Sequence, residues 1–225
     1  MYDKPRFLTA GESALIIELG DEIDVECNER VIALSEEMRS IDGVSEILPT
    51  YRSLLVHYDP LITSFDELVE NGKEKMRTLK MRRMRGKTFE VPVCYGGDLG
   101  PDLGFVARHN SMSEEEVMRA HGSRDYRIYM MGFLPGFPYL GGMDERIAAP
   151  RLEKPRTKIP AGSVGIAGKQ TGIYPLESPG GWRIIGRTPM RLYDPDAEDP
   201  VPMRAGDTIR FVRIEREEYE EVRER

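Results

Sequence analysis

Apolar positions change their period several times along the first ~80 residues, and each change predicts an element. Ala14-Leu15-Ile16-Ile17-Glu18-Leu19 is a continuous apolar run behind a Gly turn, the mark of a buried strand. Asp24 precedes apolar positions at Val25, Val31, Ile32, Leu34 and Met38, a helix with an acidic N-cap in place. Asp42-Gly43 stops it. Val44–Leu48 and Ser53–Tyr58 flank the turn Pro49-Thr50-Tyr51-Arg52, as hairpin strands do. Ser64 or Asp66 then opens a second helix carrying Phe65, Leu68, Val69 and Met76. Strand, helix, strand, strand, helix predicts an α+β domain in which both helices cover one face of a mainly antiparallel sheet.

After Gly86 the pattern changes. Phe89–Tyr95 reads as a strand ending at Gly96-Gly97, and Leu103–Asn110 as a short helix. Ser113 and Glu116 have the spacing of a capping box, opening a helix to about His121. From there short strands alternate with Gly/Pro turns: Tyr126–Met131, Ser163–Ala167, Gly172–Pro175, Trp182–Ile185, Met190–Tyr193 and Thr208–Ile214. Such a run predicts a mainly-β barrel or sandwich. The boundary is expected at 84/85, giving domains 1–84 and 85–225. Glu215–Arg225 reads as a surface helix or tail.

Composition narrows the function. The 225 residues carry 32 Lys+Arg against 39 Asp+Glu, a net charge of −7, which argues against a general nucleic-acid binder. Lys73–Lys87 is locally basic, but it lacks interleaved aromatics for base stacking and reads as a helix end running into a linker. No stretch approaches the ~20 apolar residues of a membrane span, and the N-terminus lacks a signal-peptide pattern, so a soluble cytoplasmic protein is expected. Cys27 and Cys94 cannot form a four-thiolate site, and His57, His109 and His121 are too far apart for a helical metal pair. No metal site is expected.

The chemistry gathers between Gly132 and Pro189. In GFLPGFPYLGG, Gly and Pro alternate with apolar and aromatic residues, so Phe133, Pro135, Gly136 and Phe137, with Tyr139, form either a loop facing a pocket or partner, or a buried loop filling the core. Lys158, Gly162 and Ser163 lie in a Gly-rich turn with two cations, either an anion site or tight barrel turns. It is not a P-loop. Gln170, Tyr174 and Ser178 offer neutral donors and acceptors, Trp182 is the only tryptophan, and Arg187 adds a cation. His121 is the candidate base by position, against the more ordinary reading of a structural histidine. Carboxylates are few here: Asp144, Glu145, Glu153 and Glu177.

These strings resemble a known family. GFLPGFPYLGG, then PRTKIPAGSVGIAGKQTGIYPLESPGGWRIIGRTP, are similar to the B subunits of the prokaryotic ATP-dependent 5-oxoprolinases, also called allophanate hydrolase subunit 1 or the KipI-type family. PRFLTAGESALIIELG and VCYGGDLGPDL resemble its N-terminal and mid-chain motifs, so the likeness spans almost the whole chain. The resemblance implies an N-terminal α+β domain and a C-terminal cyclophilin-like β-barrel. It implies two partners, a LamB/YcsF-like protein and a second cyclophilin-fold protein, in a complex that opens 5-oxo-L-proline to L-glutamate with ATP and Mg. No cofactor is expected on this chain alone, and it is expected to be inactive in isolation. Phe133, Pro135, Gly136, Phe137, Gly162, Ser163, Ser178 and Trp182 are the implied substrate- or partner-binding set. Lys158 and Arg187 are expected to stabilise an anion, and Gln170 and Tyr174 to give polar recognition. Two other roles stand beside this one: a KipI-type inhibitor of a sensor histidine kinase, and a half-site like the carboxyltransferase part of urea carboxylase.

Overall fold

A computed structural model describes residues 1–79 and 86–224. The expected boundary at 84/85 and the centre of the basic run lie outside the described residues. The chain falls into two compact units, Met1–Arg85 and Gly86–Arg225.

The first unit is a four-stranded antiparallel sheet with two helices. Its elements are β1 (Arg6–Thr9), β2 (Ala14–Glu18), α1 (Val25–Met38), β3 (Val44–Pro49), β4 (Ser53–Tyr58) and α2 (Phe65–Thr78), with sheet order β1-β2-β4-β3. Leu15 and Ile17 on β2 and Leu54 and Val56 on β4 are fully buried, as alternation on one sheet face requires. Val31, Leu34 and Met38 of α1 and Leu68 of α2 close over them in one cluster. Each such side chain contributes about 1.5–3 kcal/mol when buried. The caps fall where the sequence places them. The Asp24 carboxylate accepts from the Cys27 amide at 2.8 Å, and Ser64 and Glu67 form a capping box at the head of α2. The described start of the basic run is the C-terminal part of α2, where Lys73 pairs with Glu70 and Lys75 with Glu37. Strand β1 was not expected. It is a mostly exposed edge without alternation, and it exists because its register on β2 runs from Arg6 opposite Glu18 to Thr9 opposite Leu15.

The second unit is a closed seven-stranded barrel. It contains β5 (Thr88–Tyr95), α3 (Leu103–His109), α4 (Glu114–Gly122), β6 (Asp125–Met131), β7 (Pro138–Gly141), a 3-10 turn at Glu145–Ile147, β8 (Arg156–Ile159), β9 (Ser163–Ala167), β10 (Gln170–Ile173), β11 (Ser178–Gly180), β12 (Arg183–Arg187), β13 (Thr208–Arg213) and α5 (Arg216–Arg223). Around the barrel the order is β10-β7-β6-β13-β5-β12-β9, and β11 pairs with β8 in a separate ribbon. Only β5 and β13 run parallel among these pairings.

Three short strands lie where the sequence reads as loop or turn: β7, β8 and β11. The strand expected at Met190–Tyr193 is absent. The Met190 amide donates to the Thr188 hydroxyl at 3.1 Å, which closes a local turn in place of a ladder bond. Both cysteines are buried and free, and burial pushes each thiol pKa up, away from the reactive thiolate. No helix among the described residues is long and apolar enough to cross a membrane.

Candidate functional site

A cavity of about 280 Å³ opens on the second unit, walled by Phe133, Phe137, Tyr139, Tyr174 and Trp182. Pro155, Pro179, Gly180 and Gly181 complete its sides, and Arg151 stands at it as the single charged residue. The walls come from separate stretches of chain. Tyr139 lies on β7 and Tyr174 just beyond β10, which pair as neighbours in the barrel. Pro179 and Gly180 come from β11, and Trp182 leads into β12.

The rings form one connected box. Phe137 is its centre, fully packed, with ring centroids 4.9 Å from Tyr139, 5.3 Å from Tyr174 and 5.6 Å from Trp182. The contacts with Tyr174 and Trp182 are edge-to-face, an arrangement that adds about 0.5–1.5 kcal/mol per pair beyond area burial. Phe133 closes one side, 5.6 Å from Phe137 and 6.5 Å from Tyr174, yet it remains 61% exposed.

The loop that carries Phe133 is strained. Phe133 has φ +64, a left-handed value rare outside glycine. Leu134 donates to Gly132 O at 2.7 Å around it, and Phe137 donates to Leu134 O at 3.0 Å. Gly136 also takes positive φ, +80, and a Cβ there would come within 2.9 Å of Leu192 O. Such strain persists where surrounding contacts over-determine it, and it holds an aromatic ring over the cavity.

Tyr174 is the polar group most deeply set in the wall. Burial pushes its hydroxyl up to about 12, against a smaller downward pull from a hydrogen bond with the Trp182 backbone. At neutral pH it is a neutral donor. Burial likewise raises Tyr139. No wall residue is a carboxylate. Among the described residues, no three His, Cys, Asp or Glu side chains gather so as to hold a metal ion.

The residues singled out from sequence divide into separate groups. Phe133, Phe137, Tyr174 and Trp182 meet at the cavity, with Pro135 and Gly136 shaping its loop. Gly162 lies at a different, smaller cavity of about 190 Å³ beside Thr188 and Arg191. Its positive φ of +79 and a close approach to the Thr188 carbonyl require glycine there. Ser163 pairs with Arg187 across β9 and β12; the Ser163 hydroxyl and Arg187 Nε are buried with no hydrogen-bond partner. The Ser178 hydroxyl on β11 is in the same condition. Lys158 is an exposed β8 residue paired with Glu177 at 2.9 Å. Gln170 begins β10 opposite Ala167. None of these lines the aromatic cavity.

His121 sits in the barrel core, not in a cleft. It is fully buried, with Nδ1 2.8 Å from the Tyr95 hydroxyl and Nε2 2.9 Å from the Thr171 hydroxyl. Thr171 spends its own proton on Gly165 O at 3.0 Å, so it accepts from Nε2–H, and Nδ1 accepts from Tyr95. Burial pushes the imidazole down to about 3, so it is neutral across the physiological range. The ordinary structural reading describes it. Tyr139, a ring the sequence also offers to a pocket, stands in the wall, and Arg151 completes the site without a sequence signal of its own. Tyr139 was visible in the same aromatic motif, whereas Arg151 follows Pro150 in a stretch with no local signal.

Residues 5–203 match the carboxyltransferase domain, subdomain C and D, so the barrel and the unit before it are those of a carboxyltransferase-domain protein. Among relatives, the 5-oxoprolinase B subunit of Bacillus subtilis (strain 168) is 43% identical over 227 residues, covering 95% of both chains. The crystal structure of PH0987 from Pyrococcus horikoshii is 52% identical and covers 95% of this chain and 100% of that one, with a TM-score of 0.58. The crystal structure of TTHA0988 is 36% identical with a TM-score of 0.79; the match covers 90% of this chain and 40% of the other, so this chain spans two-fifths of that protein. This chain belongs to the family of 5-oxoprolinase B subunits.

Proposed function

We propose that this chain is a non-autonomous subunit of an ATP-dependent 5-oxoprolinase, the complex that opens 5-oxo-L-proline to L-glutamate. The observation that carries this reading is the full-length likeness to the Bacillus subtilis protein. The partners are a LamB/YcsF-like protein and a second protein built, like this barrel, on a cyclophilin-like plan.

The cavity's chemistry agrees with a shared site. An unstrained lactam is a poor electrophile, and phosphorylation of its amide oxygen would make it a better acceptor for water. That step needs a base for the water and stabilisation of the phosphorylated oxygen. The cavity walls offer rings, a neutral Tyr174 and one cation, but no carboxylate. His121 is too buried to reach a substrate. These walls do not fit a divalent cation, so ATP, Mg and the base belong to the partners in this reading. The chain's own part is to bind and orient the lactam and exclude water from it.

The test is glutamate release from 5-oxo-L-proline and ATP by this chain and its two partners mixed from one source, with each omitted in turn. Turnover that needs all three is the expected result. Turnover by the two partners without this chain, or by this chain alone, would sink the proposal.

A further inference from the structure

We infer that Arg151 anchors the substrate's carboxylate in the aromatic cavity, with the lactam ring lying against Phe137, Tyr174 and Trp182. This rests on the reading above that the complex acts on 5-oxo-L-proline.

The substrate is a small ring with apolar methylene edges and one permanent negative charge. A cavity that takes it needs apolar walls for the ring and a cation for the charge, because a carboxylate removed from water without a partner is strongly disfavoured. The box of rings supplies the walls, and Arg151 is the only charged residue lining it.

Three other cations of this region, Arg156, Arg183 and Lys158, are already engaged. Arg156 is bonded to both oxygens of Asp102. Arg183 donates to Pro150 O and stacks 3.5 Å over Phe105. Lys158 is paired with Glu177. Arg151 has no ion pair among the described residues, and its guanidinium carbon lies 6.0 Å from the Trp182 ring centroid. A guanidinium held beside an indole keeps its fork of donors free for bidentate recognition of a carboxylate. Arg151 is thus a specificity-determining residue of the site.

The experiment uses the assembled complex with Arg151→Gln and Arg151→Lys, and two substrates: 5-oxo-L-proline and its uncharged amide, 5-oxo-L-prolinamide. Arg151→Gln should raise KM for the acid about tenfold or more, leave kcat within about twofold, and erase the preference for acid over amide. Arg151→Lys should recover part of the loss. Co-purification of the three proteins separates a binding defect from failed assembly. An assembled Arg151→Gln complex with unchanged KM and unchanged acid-to-amide preference would overturn the assignment, and so would a loss confined to kcat. A wild-type complex that releases no glutamate would instead overturn the reading on which the assignment rests.

Discussion

Arg156 donates to both carboxylate oxygens of Asp102, at 2.8 and 2.9 Å, joining residues 54 positions apart. Asp102 Oδ2 also accepts from the Ile184 amide at 2.7 Å, and Arg156 reaches the Trp182 carbonyl at 3.5 Å. The pair therefore ties the head of α3, strand β8 and the start of β12 together, and with them the indole wall of the cavity. Asp102 is 6% exposed. Arg156 keeps about a third of its side chain in water, which moderates the cost of losing its partner. Asp102→Ala should destabilise the chain by about 2–3 kcal/mol. Asp102→Asn, which keeps an acceptor for Ile184, should cost less. Urea midpoints check both, and Trp182, as the only tryptophan, should shift its emission in the Ala variant first.

Gly180 and Tyr174 are coupled by space. A Cβ on Gly180 would overlap the Tyr174 hydroxyl and come within 2.8 Å of Ile159 Cδ1. Gly180→Ala should therefore push the Tyr174 ring into the cavity and lower complex activity. Tyr174→Phe alone should also lower activity, without unfolding the barrel. In the double variant the clash with the hydroxyl is gone, so its loss should be smaller than the two single losses combined. Strict additivity of the logarithms of kcat/KM would contradict this coupling.

Phe133 holds a left-handed backbone so that its ring can stand over the cavity. Phe133→Gly releases strain of about 1–2 kcal/mol but adds flexibility to the unfolded chain, so stability should change by less than about 1 kcal/mol. Phe133→Ala keeps the strain and should be the less stable of the two. Both lack the ring, and both should lower turnover by the complex to a similar extent. Equal melting temperatures for the pair, or wild-type turnover in either, would count against the role given to this loop.

His121 makes acid stability measurable. Its folded value of about 3 lies below the ordinary ~6.5 of an unfolded imidazole. Below pH ~6.5 the unfolded chain takes up a proton that the folded chain refuses. The stability from keeping this group neutral is complete above that pH and falls as pH drops toward 3, with a limiting slope of about 1.4 kcal/mol per unit. Wild-type urea midpoints should decline between about pH 6.5 and about 4.5. His121→Gln should be less stable near neutral pH, yet decline more gently over that interval. Parallel slopes would show that His121 does not carry the effect.

Much of this molecule was legible where local chemistry decides structure. Asp24, Ser64 and Ser113 mark their helices because an N-cap side chain bonds amides only two or three residues away. The aromatic wall was legible in part, since Phe133, Phe137, Tyr174 and Trp182 stand in two dense motifs. What escaped depends on long-range pairing. Strand β1 exists through its register with β2, and β7 through its place between β6 and β10. Met190–Tyr193 has the apolar content of a strand, but the Thr188 hydroxyl takes the amide a ladder would need. Lys158 has the look of a free anion ligand in the sequence, but folding places Glu177 beside it, whereas Arg151 is marked only by its place at the aromatic cavity. His121 has a plausible sequence position for a base, but burial, which only the fold reveals, excludes it.

The most direct measurement is a crystal structure of the three-protein complex with 5-oxo-L-proline. The account predicts the lactam ring between Phe137, Tyr174 and Trp182, with its carboxylate within hydrogen-bond distance of Arg151. Substrate bound wholly within the partners, with the aromatic cavity of this chain facing solvent, would contradict it.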